Sequence, residues 1–161
     1  MINIQGLKIG LDYHGVIDCY PTYFSQFCSS AINRGHQIFI ITGGPAVKIK
    51  QILDNIPIAY NHIFAITDYY QALGMVEQAK DGSFAIPDKL WNQAKGEFCF
   101  RNHIDFHIDD SLAYRPWFQT PFCWFDNQTF SCSLLPKHQF HLKNIDNFLN
   151  SIEQYCYSPK D

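Results

Sequence analysis

The sequence predicts an α/β protein in which helices cover both faces of a mostly parallel sheet. Short β-branched or alternating apolar runs recur along the chain, and each is followed by a segment with helical apolar spacing. The connections are brief and are marked by Gly, Pro or an acid. Apolar residues make up 47% and charged residues 17% of the 161, which suits one packed domain spanning residues 1–161.

Leu7, Ile9 and Leu11 alternate with Lys8, Gly10 and Asp12, the period of a strand that ends at an acid. Beyond Pro21, the residues Tyr23, Phe24, Phe27, Cys28, Ala31 and Ile32 recur at helical spacing. Asn33-Arg34-Gly35 reads as that helix's C-terminus. Ile38 to Ile41 is a continuous apolar run, of the kind buried on both faces of a parallel sheet. Thr42-Gly43-Gly44-Pro45 follows, with Pro45 placed as a first helical residue and an apolar stripe of Ala46, Ile49, Ile52 and Leu53 behind it. His62 to Ile66 predicts a third strand, and Thr67-Asp68 a cap for a helix reaching about Val76. Lys80 to Ser83 reads as a loop, and Leu90, Trp91, Ala94 and Phe98 as a helix ending near Asn102. Ile104, Phe106 and Ile108 mark a fourth strand running into Asp109-Asp110-Ser111. Phe122 to Phe125 is a fifth, and Leu142 to Tyr155 an amphipathic C-terminal helix.

Composition bounds the function. The net charge is −3 and no basic arm is present, so nucleic-acid binding is not indicated. No apolar window approaches the ~20 residues a membrane span needs, and no signal-peptide core is visible. A cytoplasmic protein is expected. The six cysteines (Cys19, Cys28, Cys99, Cys123, Cys132 and Cys156) include no C-x-x-C pair. They read as small buried hydrophobes in a reducing compartment.

In open parallel sheets, ligands sit beyond the carboxyl ends of the strands. Asp12, Thr42-Gly43-Gly44, Thr67-Asp68 and Asp109-Asp110 all fall at such ends. If the first and fourth strands are neighbours, ~5 Å apart, their carboxylates repel and call for a cation. Magnesium, which takes oxygen ligands, is the natural one. Thr42, Gly43 and the following helix N-terminus suit an anion. The bland alternatives are helix capping by Asp109 or Asp110 and solvent exposure of Asp12. A zinc or manganese site is a competing expectation, because His103, Asp105, His107 and Asp109 alternate along one strand face. There His107 and Asp109 could share a metal.

Asp12-Tyr13-His14-Gly15-Val16, then Thr42-Gly43, a lysine before the fourth strand, and Asp109-Asp110 occur in that order. This order resembles the four motifs of the haloacid dehalogenase-like (HAD) superfamily, over roughly Leu7 to Ser111. The resemblance implies a Rossmann-like three-layer α/β/α domain and a magnesium-dependent phosphohydrolase. Asp12 would be the nucleophile that forms an aspartyl-phosphate. Thr42, Gly43 and the lysine would hold phosphate oxygens. Magnesium would be bound by Asp12, the His14 backbone carbonyl, and Asp109 or Asp110. Lys95 fits the third motif best, Lys89 is the alternative, and Lys80 is too far away.

His14 is the departure, since the family's phosphatases usually carry a second Asp there to protonate the leaving group and activate water. A histidine, with an unperturbed pKa of ~6.5, can do acid–base work near neutral pH, or it can merely pack over the turn. The stretches between motifs leave no room for a large cap domain. An open site admits a bulky phosphorylated substrate, or a partner subunit covers it in a homo-oligomer. Tyr114 to Phe118 could line the opening, although core packing is expected for Trp117 and Phe118. The alternative to an enzyme is a phospho-ligand or protein-binding module that has kept the fold.

Overall fold

The computed structural model describes residues 5–78, 80–81, 83–134 and 138–159. The chain runs as β1 (Lys8–Leu11), a π-helical turn (Tyr13–Ile17), α1 (Pro21–Asn33), β2 (Gln37–Thr42), α2 (Ala46–Leu53), β3 (His62–Ala65) and α3 (Ile66–Ala72). A two-stranded ribbon of β4 (Glu77–Gln78) and β5 (Phe84–Ala85) follows, then α4 (Asp88–Arg101), β6 (Phe106–Asp109) and a 3₁₀ turn (Arg115–Trp117). The chain finishes with β7 (Phe122–Asp126), β8 (Ser131–Leu134), β9 (His138–Phe140) and α5 (Ile145–Tyr157).

The large sheet has the order β3-β2-β1-β6-β7-β8-β9. Its first five strands are parallel, and β7, β8 and β9 are antiparallel. The apolar run of β2 lies between β1 and β3, where both of its faces are covered. β1 pairs with β6 in the register Ile9↔Phe106, Gly10↔His107 and Leu11↔Ile108, so the first and fourth predicted strands are neighbours.

Side chains alternate between the two faces of each strand. Ile9, Leu11, Ile38, Ile40, Phe106 and Ile108 share one core with Phe24 and Phe27 of α1, Ile49 and Leu53 of α2, and Phe148 and Leu149 of α5. On the other face, Phe39 and Ile41 meet Cys99 of α4 and Ile104, while Ile66 and Tyr70 of α3 pack on Ala94. Helices therefore lie on both faces, and the expected three-layer α/β arrangement is present. No helix among the described residues is long and apolar enough to cross a membrane.

Several local expectations are corrected. β8 and β9 were not anticipated: Ser131 to Leu134 has no β-branched residue, β9 is three residues long, and both gain their strand form from pairing with β7 and with each other. The ribbon β4–β5 flanks what reads as a plain loop at Lys80 to Ser83. Ile66 opens α3 rather than closing β3, and α3 ends well before Val76, with Gly74 left-handed at φ 67°. Thr67-Asp68 does not cap α3. The Asp68 carboxylate instead accepts from the Ala46 N–H of neighbouring α2 at 2.8 Å. Pro45 stands at the N-cap of α2, one position earlier than a first helical residue. Cys123 and Cys132 are not both free thiols. They form a disulfide between β7 and β8, diagonal neighbours in a strand pairing that local pattern does not reveal.

Candidate functional site

Asp12 follows the carboxyl end of β1. Its N–H donates to the Ile108 carbonyl at 2.9 Å, which fixes it beside β6. Its Oδ1 accepts from the Tyr13 N–H at 2.7 Å, and its side chain is only 6% exposed, which overturns solvent exposure as its fate. The chain then reverses through the π-helical turn with Gly15 at φ 79°, a left-handed geometry that favours glycine. A Cβ at Gly15 would also fall on the Asp110 carboxylate, so the first and fourth strand-end loops touch there.

Lys95 comes up from α4 with its side chain 1% exposed. Its Nζ lies 2.8 Å from Asp12 Oδ2 and 2.7 Å from Asp109 Oδ2. The Tyr114 ring covers it with the centroid 4.5 Å from Nζ. An ammonium has three hydrogens, and two carboxylates and an aromatic face account for its partners here. Lys89 and Lys80 are exposed, so burial singles out Lys95.

Asp109 is fully buried. Its Oδ1 accepts from the Ser111 N–H at 2.9 Å, closing a tight turn rather than capping a helix. Its Oδ2 meets Lys95 and, at 3.1 Å, His107 Nε2. Asp110 is half-buried, and its backbone carbonyl accepts from Trp124 Nε1–H at 3.0 Å. The Asn127 amide donates to the Gly15 carbonyl at 3.0 Å, tying β7's end to the same loops.

Oxygens of Asp12, Asp109 and Asp110 all lie within 4.8 Å of one another. Both late acids therefore converge with Asp12. Three carboxylates stand against one ammonium, and the titration behaviour reflects it. Burial, then the charge of Asp109, pushes Asp12 up to about 7 against the pull of Lys95. Burial would raise Asp109 as well, but Lys95 and His107 outweigh it and hold this carboxyl below its ordinary value. Burial and then Asp109 raise Asp110. Burial works against the Lys95 charge, yet Asp12 and Asp109 prevail and raise it. A hard divalent cation suits this donor set: the converging atoms are carboxylate oxygens, with no sulfur or ring nitrogen among them.

The residues expected to meet an anion lie at the end of β2 and the start of α2. Thr42 is fully buried at the end of β2, and its hydroxyl has no hydrogen-bond partner among the described residues. Gly43 must lack a side chain, because a Cβ would lie 2.6 Å from Cζ2 of Trp91. The α2 N-terminus is less available than expected, since Asp68 takes its first N–H.

His14 stands apart from the buried cluster. Its side chain is 61% exposed, with Nδ1 3.5 Å from Asp18 Oδ2 and its ring edge-on to Tyr13 at 4.9 Å. Its Nε2 lies 3.7 Å from where a Cβ of Gly44 would be, so it bridges the rims of the first and second strand-end loops.

The competing metal site is not assembled. β6 begins only at Phe106, so His103 and Asp105 lie outside the strand face, and His103 has left-handed backbone at φ 53°. Asp105 is occupied at the opposite sheet end, accepting from the Lys8 N–H at 2.8 Å. His107 and Asp109 are hydrogen-bonded to each other. Trp117 is 40% exposed rather than in the core, whereas Phe118 is half-buried and stacks on His107.

Local sequence gave no sign of two contributors. Trp91 reads as one residue of an apolar stripe, yet its Nε1–H donates to the Tyr114 hydroxyl at 3.1 Å above the site. Asn127 has no motif around it. No protein-family model and no curated protein matches the chain. A crystal structure of an uncharacterized protein from Corynebacterium glutamicum ATCC 13032 Kitasato is similar over 97% of this chain and 98% of that one, with 14% identity and a TM-score of 0.47.

Proposed function

We propose that this protein is a magnesium-dependent phosphomonoester hydrolase of the HAD-like, capless type, working through a phosphorylated Asp12. The observation that carries this reading is the meeting of Asp12, Asp109 and Asp110 around buried Lys95 at the carboxyl ends of adjacent parallel strands. An Asp12 oxygen attacks phosphorus, the ester P–O bond breaks, and the departing oxygen takes a proton. Water then attacks the aspartyl-phosphate, releasing phosphate and restoring the carboxylate. Lys95 and the unpartnered Thr42 hydroxyl hold phosphoryl oxygens, with Gly43 keeping the backbone beside them open. For Lys95 to turn a hydrogen toward phosphate, the Tyr114 ring has to give way. His14, at the open rim beside Gly44, would transfer the proton at the leaving group. Magnesium, held by the three carboxylates and the His14 carbonyl, would neutralise charge on the transferring phosphoryl group.

A second reading, a phospho-ligand or protein-binding module, is favoured by one observation: the His14 ring sits in solvent beside Asp18, not beside Asp12. Hydrolysis of p-nitrophenyl phosphate by wild type and Asp12→Asn, with and without magnesium, separates the two. Magnesium-dependent turnover that falls by about a thousandfold or more in the variant supports the enzyme. Indistinguishable traces support the binding module.

A further inference from the structure

His107 occupies an unusual position for an imidazole. It lies in the middle of the large sheet, on β6 between β1 and β7, with no exposed surface. Strands buried in this way are ordinarily filled by branched aliphatic residues, and Ile108 next to it follows that pattern. The surroundings of His107 are shaped to admit its ring. Directly across the ladder is Gly10, where a Cβ would stand 2.6 Å from His107 Nδ1 and 2.8 Å from Ile41 Cδ1. On the open side, Phe118 lies flat against the imidazole, with centroids 4.9 Å apart and planes 12° from parallel. The gap at Gly10 and the Phe118 ring together leave the imidazole little freedom about its side-chain torsions. Held so, its Nε2 reaches Asp109 Oδ2 at 3.1 Å. A carboxylate only accepts, so Nε2 must carry the hydrogen in this contact.

We propose that His107 is a positioning residue for the cation-binding carboxylate of Asp109. Resting on the metal-site reading above, it fixes the Asp109 rotamer that faces Asp12 and Asp110. Asp109 has two other ties, the Ser111 N–H on Oδ1 and Lys95 on Oδ2. Ser111 belongs to the adjoining loop, and Lys95 is shared with Asp12. Among the described residues, only the His107 side chain reaches the Asp109 carboxylate from within the sheet, two residues back on the same strand. Partners of this kind, which orient a ligand without touching the metal, typically change affinity by about 10–100-fold when removed.

The test measures Mn²⁺ and Mg²⁺ binding by isothermal titration calorimetry for wild type, His107→Leu and His107→Gln, with melting temperatures taken in EDTA. His107→Leu fills the volume without a donor, and His107→Gln restores an N–H donor. The expected result is at least tenfold weaker Mn²⁺ binding for His107→Leu, recovered to within about threefold by His107→Gln. Equal affinities in wild type and His107→Leu overturn the proposal while leaving the metal site intact. Equal loss in both variants makes His107 a packing residue and also overturns it. Absence of Mn²⁺ binding in wild type removes the metal site itself, and with it anything to position. A readout independent of variant folding is the ¹⁵N spectrum of wild-type His107. A hydrogen on Nε2 supports the proposal, and a ring that carries its hydrogen on Nδ1 alone overturns it.

Discussion

The two faces of the sheet are built from the same strands, yet they bury different matter. The face under α1, α2 and α5 holds one continuous apolar cluster, and Phe24, Phe27, Phe106, Phe140 and Phe148 stack through it edge-to-face or tilted. The face under α3 and α4 divides its apolar residues into two smaller groups. Between strand and helix there runs a buried polar line from His107 through Asp109 and Lys95 to Asp12. One residue of register separates them: Ile108 points to the first face, and His107 and Asp109 to the second. Apolar burial on the first face is favourable at about 25 cal/mol per Å² and asks for no partner. Charge burial on the second is offset in part, because Lys95 lies between Asp12 and Asp109 and His107 meets Asp109. The first face holds the fold, and the second spends part of that stability on a preorganised cluster.

Three substitutions sharpen the contrast. On the apolar face, Phe148→Ala removes a fully buried ring and should lower unfolding free energy by about 3–5 kcal/mol while leaving Mn²⁺ affinity unchanged. Chemical denaturation alongside calorimetry checks this, and a parallel loss of metal affinity would mean the faces are not separable. On the polar face, Lys95→Met leaves Asp12 and Asp109 opposed without their ammonium. It should cost about 3 kcal/mol in EDTA. Magnesium should then raise the melting temperature of Lys95→Met by more than it raises that of wild type, because the added cation meets a larger surplus of negative charge. An equal or smaller rise would show that the lysine and the cation do not answer the same charge.

The smallest effect belongs to Cys28, buried in the apolar core. Burial pushes its thiol up from 9.0 to about 12. The folded protein thus keeps a proton that the unfolded chain gives up, so this contribution to stability is whole below about pH 9 and is lost as pH rises toward 12. Between pH 8 and 10, wild type should lose about 1 kcal/mol more than Cys28→Val. Matching pH profiles would place Cys28 in a wetter environment than the core.

Periodicity made the apolar face legible. Ile9 and Leu11, Ile38 to Ile41, and the α1 and α5 stripes each state their burial within a few residues of local pattern. The polar face was legible in its acids, since Asp12 and the Asp109-Asp110 pair each follow an apolar run. It was not legible in its supports. His107 looked like one member of a metal-binding row that began at His103, and only the start of β6 at Phe106 separates them. Asp68 reads as a cap for its own helix, whereas it serves α2 on the opposite face, brought within reach because β2 and β3 are neighbours. Trp117 reads as inward on its chemistry, but its backbone carbonyl is what lies against Gly96 of α4, and the indole is 40% exposed. β8 and β9 lacked the branched residues that mark strands, and the Cys123–Cys132 bond depended on their pairing.

By itself the amino-acid order determined the alternation of strand and helix, the end of each strand at a chemically capable residue, and the glycines at the reversals. These depend on neighbours within one or two turns of chain, where backbone sterics and apolar spacing act. Tertiary structure alone decided that Lys95 lies buried between two carboxylates, that both Asp109 and Asp110 approach Asp12, and that the His14 ring faces solvent. Those outcomes depend on which strand lies beside which and in what register. A carboxylate's charge is felt by whatever side chain lies within a few ångströms in space, however far away it is along the chain.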